Sequence, residues 1–259
     1  MKKSFTLIVL IASFFIFSLG SFAETEKVSS VGQKILSSNN LPTKVEFIVS
    51  EEDEVNAYAD INNEVHVYNG LLKMVETDDE LAAVISHEIG HIVNKHIQKQ
   101  SIIGGILQSL IAKIKKPFAS KIANGIGGLS MLKLSRSAEY EADLTGVDLM
   151  VGAGYNPQAM LSFLNKVAQN YIDVIETHPS GNKRLQYVYD YISFNYPEKL
   201  QKDYNTDSYR KFRVYIDGVV KERNSDPKKM AEYIKKQTKL RNDRIKRAKA
   251  IRETSYFFN

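Results

Sequence analysis

The sequence predicts an α+β fold that is mostly helical, with one small antiparallel sheet set ahead of the main helices. Three observations predict it. Apolar residues recur every three or four positions over most of the 259 residues, the signature of helices that bury one face. That period gives way to two only between Lys44 and Tyr68. A 43% apolar content with no cysteine describes a chain that builds its core without disulfides.

The N-terminus reads Met1-Lys2-Lys3, an apolar run from Phe5 to Leu19, then Ser21-Phe22-Ala23 ahead of Glu24. Positive charge, a hydrophobic stretch and small residues at the minus-three and minus-one places lay out a secretory signal peptide over residues 1–23. The competing reading, an uncleaved anchor, needs about twenty residues to span, and the run is shorter. Val28, Val31, Ile35 and Leu36 then make Glu24 to Ser38 an amphipathic helix, ended by Asn39-Asn40-Leu41-Pro42. Lys44 to Ser50, Glu54 to Ala59 and Glu64 to Tyr68 are short stretches of Val, Ile, Tyr and Phe parted by polar turns, read as three strands joined by hairpins. Gly70 to Val75 starts the helical half.

The next helix runs from Asp78 to about His96. Thr77-Asp78-Asp79-Glu80 is a capping box, in which the hydroxyl and the carboxylate satisfy backbone amides reciprocally. Leu81, Val84, Ile85, Ile89, Ile92 and Val93 supply its buried stripe. Ser101 to Ile114 is apolar and reads as part of a buried helix pair. With Lys113, Lys115 and Lys116 at one end, it reads alternatively as a lid or a helix lying on a membrane surface. Further helices follow from Leu134 to Val151, from Asn156-Pro157 to about Ile175, and from Ser180 to Phe194. Pro227 to about Arg252 reads as a basic amphipathic helix. These elements group as residues 24–200, a first domain, and 201–259, a basic helical extension.

Charge is unevenly placed. Lys221 to Glu253 holds 13 Lys or Arg against five Asp or Glu, a net of +8, so the rest of a +5 chain carries −3. Because these cations alternate with acids, an anionic membrane surface or simple solvation accounts for them better than a nucleic acid does.

The chemistry sits in His87-Glu88-Ile89-Gly90-His91. Residues four apart on a helix lie one above the other, so the His87 and His91 imidazoles can share one zinc ion. Glu88, rotated by about 100°, is placed to meet a water on that ion as a general base. A catalytic site needs a third protein ligand, and without cysteine it must be His, Asp or Glu. Ser135-Arg136-Ser137-Ala138-Glu139-Tyr140-Glu141-Ala142-Asp143 offers Glu139 as ligand, with Asp143 on the same face to orient a ligating His. On spacing alone an ordinary solvated acidic face fits that stretch equally well.

Together with His178-Pro179 and Arg184, these motifs resemble the three ordered signatures of the HtpX and CAAX prenyl protease type I family of zinc metallopeptidases, family 48 of the metallo class. Val55-Asn56-Ala57-Tyr58-Ala59, Val65 to Val67 and Gly70-Leu71-Leu72 resemble its edge-strand segment, and the likeness covers about residues 28 to 195. The resemblance implies a gluzincin-type fold, with two helices facing each other across one Zn2+ per chain beside a small antiparallel sheet. It implies His87, His91 and Glu139 as ligands, Glu88 as base and Asp143 behind a ligating His. Asn56 and Ala57 would pair with substrate backbone by strand addition. His178 would donate to the oxyanion or occupy the open zinc position at rest, and Arg184 would brace that loop or hold a substrate carbonyl.

There are departures too. The sequence shows none of the further membrane spans of HtpX, the lipoprotein cysteine of LoiP-like proteins or the tetratricopeptide array of BepA-like ones, yet it resembles the exported BepA and LoiP branch. The expectation is an exported, periplasmic zinc metalloendopeptidase acting on misfolded or unassembled envelope proteins, in peripheral contact with the membrane. The alternative is a latent, zinc-bound chaperone-like assembly factor of the envelope.

Overall fold

The structure, a computed structural model, describes residues 22–41, 43–111, 135–170, 178 and 181–254. Residues 1–21 of the expected signal peptide, the lysine-bearing end of the Ser101 to Ile114 stretch and the expected helix end near Ile175 lie outside these residues, while residues 22 and 23 begin α1. Helix α1 spans residues 22–38 and buries the expected stripe of Val28, Val31, Ile35 and Leu36. Strands β1 (Glu46–Ser50), β2 (Ala57–Ala59) and β3 (Glu64–Tyr68) follow, then α2 (Asn69–Met74), α3 (Asp78–Val93) and α4 (His96–Ile111). Beyond come α5 (Arg136–Gly152), α6 (Gln158–Asn170) and α7 (Asn182–Asn195), a 3-10 turn at Pro197–Lys199, α8 (Asp207–Asn224) and α9 (Pro227–Thr254). Among the described residues no helix is long and apolar enough to cross a membrane.

The sheet corrects one expectation, for it is mixed rather than antiparallel. Its order is β1-β3-β2: β1 lies parallel to β3, with Glu46 opposite Glu64, and only β2 and β3 form an antiparallel hairpin. That hairpin closes on Asp60, whose Oδ1 accepts from the amides of Asn62 and Glu64, with Asn63 in the left-handed region at φ 65°. Between β1 and β2 the acidic stretch from Glu51 makes no such turn. It carries the chain past β3, and the amide of Gly70 ties it back by donating to the carbonyl of Glu52 at 3.0 Å.

Helix α3 is buried from Glu80 to Val93, flanked by α5 and α6 and covered by the sheet. Two glycines set its approach to α5. A Cβ on Gly90 would stand 2.7 Å from the carbonyl oxygen of Ala142, and one on Gly146 would stand 3.2 Å from the amide of His87. Backbone therefore meets backbone where the pentad passes, which only glycine permits.

The cap on α3 forms as expected on one side, with Thr77 Oγ1 accepting from the Glu80 amide at 3.1 Å. Glu80 does not return to Thr77; it accepts instead from the amide of Glu76 at 2.9 Å. Its carboxylate is buried and also accepts from Ser162 Oγ and Lys166 Nζ, at 2.8 and 2.9 Å, which draws it inward. Helix α8, which the periodicity did not single out, begins at Thr206, whose hydroxyl accepts from the Tyr209 amide, and buries Tyr209, Phe212 and Ile216 in the packing with α6. Asp226 then starts α9 by accepting from the amides of Lys228 and Lys229.

Candidate metal centre

His87 and His91 project from one face of α3, their Nε2 atoms 3.0 Å apart. Across from them α5 presents Glu139, with Oε2 3.5 Å from His87 Nε2 and Oε1 3.5 Å from His91 Nε2. His178 enters from between α6 and α7, its Nδ1 at 3.2 Å from His87 Nε2 and 3.1 Å from Glu139 Oε2. All four residues are buried, and their donor atoms lie within 4.8 Å of one another. A tetrahedron with nitrogen arms of about 2.0 to 2.1 Å has edges of roughly 3.4 Å. The measured edges, 3.0 to 3.5 Å, fit an ion of that kind.

The surrounding charge fits as well. Glu88, Glu139 and Asp143 are buried with Arg184 among them, so three carboxylates face one guanidinium. A divalent cation would balance the remaining two negative charges. Burial disfavours a charged His87, but the carboxylates of Asp143 and Glu139 outweigh it and push its pKa up to about 10, which marks this point as one that seeks positive charge. Burial, reinforced by the charge of His87, holds His91 well below the ordinary histidine value. Burial works against ionised Glu139 too, yet His178 and Arg184 keep its carboxyl well below the usual range.

Asp143 lies behind His87. Its Oδ1 lies 2.9 Å from His87 Nδ1, which leaves Nε2 of that ring free to face the cluster. The same carboxylate takes two bonds from Arg184, from Nε at 2.6 Å and from Nη2 at 2.8 Å. Arg184 Nη1 also meets Glu139 Oε2 at 3.1 Å and the carbonyl of His178 at 3.3 Å. Arg184 thus ties His178 to Glu139 and Asp143 of α5.

Glu88 follows His87 on α3 and lines the same small cavity as His87 and His178. Burial raises its pKa, against the lowering effect of His178 and His87, and its Oε2 has no hydrogen-bond partner among the described residues. It lies 3.8 Å from His178 Nε2 and lines a cavity of about 20 Å³ together with Ala57 and His178. That volume holds roughly one water. A larger cavity of about 480 Å³ lies away from the cluster, around Asp148 and Arg244.

Ala57 and Asn56 sit at the start of β2, an edge strand of the sheet. The amide of Tyr68 donates to the Asn56 carbonyl, and the amide of Asp60 donates to the Glu64 carbonyl. Antiparallel alternation then turns the main-chain groups of Ala57 and Ala59 toward the free edge. Asn56, by contrast, spends its carbonyl inside the sheet, and its side chain donates to Glu54 at 3.4 Å. A second group of potential ligands, Asp60, Glu64 and His66, surrounds the hairpin turn, but both oxygens of Asp60 already accept bonds from Asn62.

Sequence reasoning missed two residues. Glu141, on the opposite face of α5 from Glu139, meets His96, and His96 in turn meets His91. The signal was available in Asn94 and Lys95, which end α3. Lys95 adopts φ 57°, and the chain folds His96 back under the pentad.

Comparison with known proteins adds independent findings. The model for Peptidase family M48 matches residues 23–192. The chain is 27% identical over 186 residues to the Beta-barrel assembly-enhancing protease of Yersinia pestis, covering 62% of this chain and 37% of that protein. It is 29% identical over 165 residues to Metalloprotease LoiP of Escherichia coli (strain K12), covering 58% of this chain and 63% of the relative. With the Mitochondrial metalloendopeptidase OMA1 of Arabidopsis thaliana it shares 34% over 147 residues, 54% of this chain and 30% of the relative. It thus spans little more than a third of the assembly-enhancing proteases it matches.

Proposed function

The chain belongs to peptidase family M48, and from that premise we propose that it is a zinc-dependent endopeptidase. One observation carries the reading: four buried donor atoms of His87, His91, Glu139 and His178 converge within 4.8 Å, beside the buried Glu88 carboxylate, one oxygen of which has no partner among the described residues. Three imidazoles and a carboxylate, without thiolate, favour zinc over harder cations.

His87, His91 and Glu139 would hold the ion, with Asp143 fixing the ring of His87. Zinc when bound supplies Lewis acidity, lowering the pKa of a water and polarising the scissile carbonyl. Glu88 takes the proton of the attacking water and delivers it to the leaving amine. The outward main-chain groups of Ala57 and Ala59 receive the substrate as an added strand, with Asn56 setting the start of that edge. The natural substrates we propose are misfolded or unassembled envelope proteins, in line with a relative named for β-barrel assembly. The signal-like N-terminus supports export to the periplasm, and the basic α9 supports peripheral contact with an anionic membrane. The test is cleavage of casein by the purified protein, lost on removing metal with 1,10-phenanthroline and regained on adding zinc.

The place of His178 favours attention to a second reading. Its Nδ1 faces the cluster, where it would complete four ligands and leave no position for a substrate. A protein held in that state would be a latent, zinc-bound chaperone-like factor. We take this as the resting arrangement, with His178 leaving on substrate entry to donate to the oxyanion. His178→Ala should keep its zinc and cleave casein more slowly than wild type, because the oxyanion donor is lost; faster cleavage with zinc retained would make His178 a blocking ligand alone.

A further inference from the structure

The two histidines of the pentad are anchored differently. His87 has a carboxylate directly behind it, whereas His91 has a second imidazole. His91 Nδ1 stands 3.0 Å from His96 Nδ1, the rings 5.0 Å apart and inclined at 72°. His96 Nε2 stands 3.2 Å from Glu141 Oε2, and the other oxygen of Glu141 meets Arg247 of α9. His96 is 6% exposed.

We propose that His96 is the positioning residue of ligand His91, and that α9, which lies beyond the family match, reaches the metal centre through the line Arg247, Glu141, His96, His91. The inference rests on the zinc reading given above.

The polarity of the line follows from its two ends. His91 turns Nε2 toward His87 and Glu139, so that nitrogen must keep its lone pair to bind an ion, and the proton goes to Nδ1. There it is donated to His96 Nδ1. With Nδ1 accepting, His96 carries its own proton on Nε2 and donates it to Glu141. The guanidinium of Arg247 meets the other oxygen of that carboxylate. One tautomer of each ring satisfies both histidines.

The turn that builds this line is itself pinned. Asn94 Nδ2 donates to the Gly90 carbonyl at 2.7 Å and to Thr145 Oγ1 at 2.9 Å, which fixes the end of α3 on α5 just before His96. Helix α9 is fixed on the same face of α5. Arg244 donates to Thr145 Oγ1 at 2.9 Å and to Asp148 Oδ2, one helical turn from Arg247. The basic helix thus spends two of its cations on the outer face of the helix that carries Glu139.

A His96 that merely fills space would tolerate an apolar ring; a positioning His96 would not. The experiment measures zinc affinity of the full chain by competition with a chromophoric chelator, and the visible absorption of the cobalt-substituted protein. His96→Phe should weaken zinc by about 10- to 100-fold and alter the cobalt bands. His96→Asn puts an acceptor where Nδ1 stood and should recover most of that loss. Glu141→Gln and Arg247→Met should weaken zinc in the same direction by a smaller factor. Equal affinity and an unchanged spectrum in His96→Phe would overturn the proposal, as would an Asn variant no better than Phe. Melting of the metal-free variants shows whether each folds. Should His96→Phe fail there, Glu141→Gln and Arg247→Met decide, and wild-type affinity in both would reject the line. A wild-type chain that binds no zinc would defeat the zinc reading itself, whereas tight zinc in wild type and His96→Phe alike defeats this inference alone.

Discussion

Glu88→Gln should reduce casein cleavage by about 10²- to 10⁴-fold while leaving the bound zinc unchanged. The substitution keeps the size of the side chain but removes its ability to take a proton. Glu88 has the environment a base requires: it is buried, burial raises its pKa toward the working range, and its Oε2 has no partner among the described residues. The measurement is the initial rate together with zinc content. Full activity in the variant would take the role of base away from Glu88. A biological effect that survives the substitution, with cleavage gone, would point to the latent, chaperone-like reading.

The second large effect falls on stability. Asp143→Ala should destabilise the metal-free protein by about 3 to 5 kcal/mol, because it leaves the buried Arg184 guanidinium without its two-bond partner. Chemical denaturation of wild type and variant reads the difference. The pH dependence has a definite sign. Burial opposes an ionised Asp143, but Arg184 keeps its pKa below the ordinary 3.8 in the folded state. Such a group stabilises fully above its unfolded value, and the contribution is lost as pH falls through the lower folded value. Wild-type stability should therefore fall steeply on acidification below that range, and the variant's acid limb should be shallower. A variant as stable as wild type, with the same acid limb, would remove Asp143 and Arg184 from the framework of the site.

Much of the centre was legible because a helix converts spacing into geometry without help from the rest of the fold. His87 and His91 lie four apart, Glu139 and Asp143 lie four apart, and each pair shares a face as its spacing requires. What brings the two helices to contact distance was written less plainly, in Gly90 and Gly146, whose missing side chains let the backbones touch. The sheet was legible in its strands and not in its order. Strand stretches announce themselves by alternation, but whether β1 pairs with β2 or with β3 is decided by the path of the acidic link, which carries no period. Helix α8 was hidden because its mean polarity masks the three apolar residues it buries, Tyr209, Phe212 and Ile216. His96 was hidden by the opposite problem: it looked like the end of a helix, and only the left-handed Lys95 shows that it begins another one facing His91. Arg184 was recognised by resemblance, but its partners on Asp143, Glu139 and the His178 carbonyl follow from tertiary packing that spacing does not report.

The central claim is that this cluster holds zinc, and elemental analysis of the purified protein after exhaustive dialysis tests it most directly. We expect one zinc per chain in wild type and in Glu88→Gln, and little or none in Glu139→Ala, which removes the carboxylate facing both pentad histidines. A wild-type protein that retains no zinc, and gains none on incubation with it, would contradict the account.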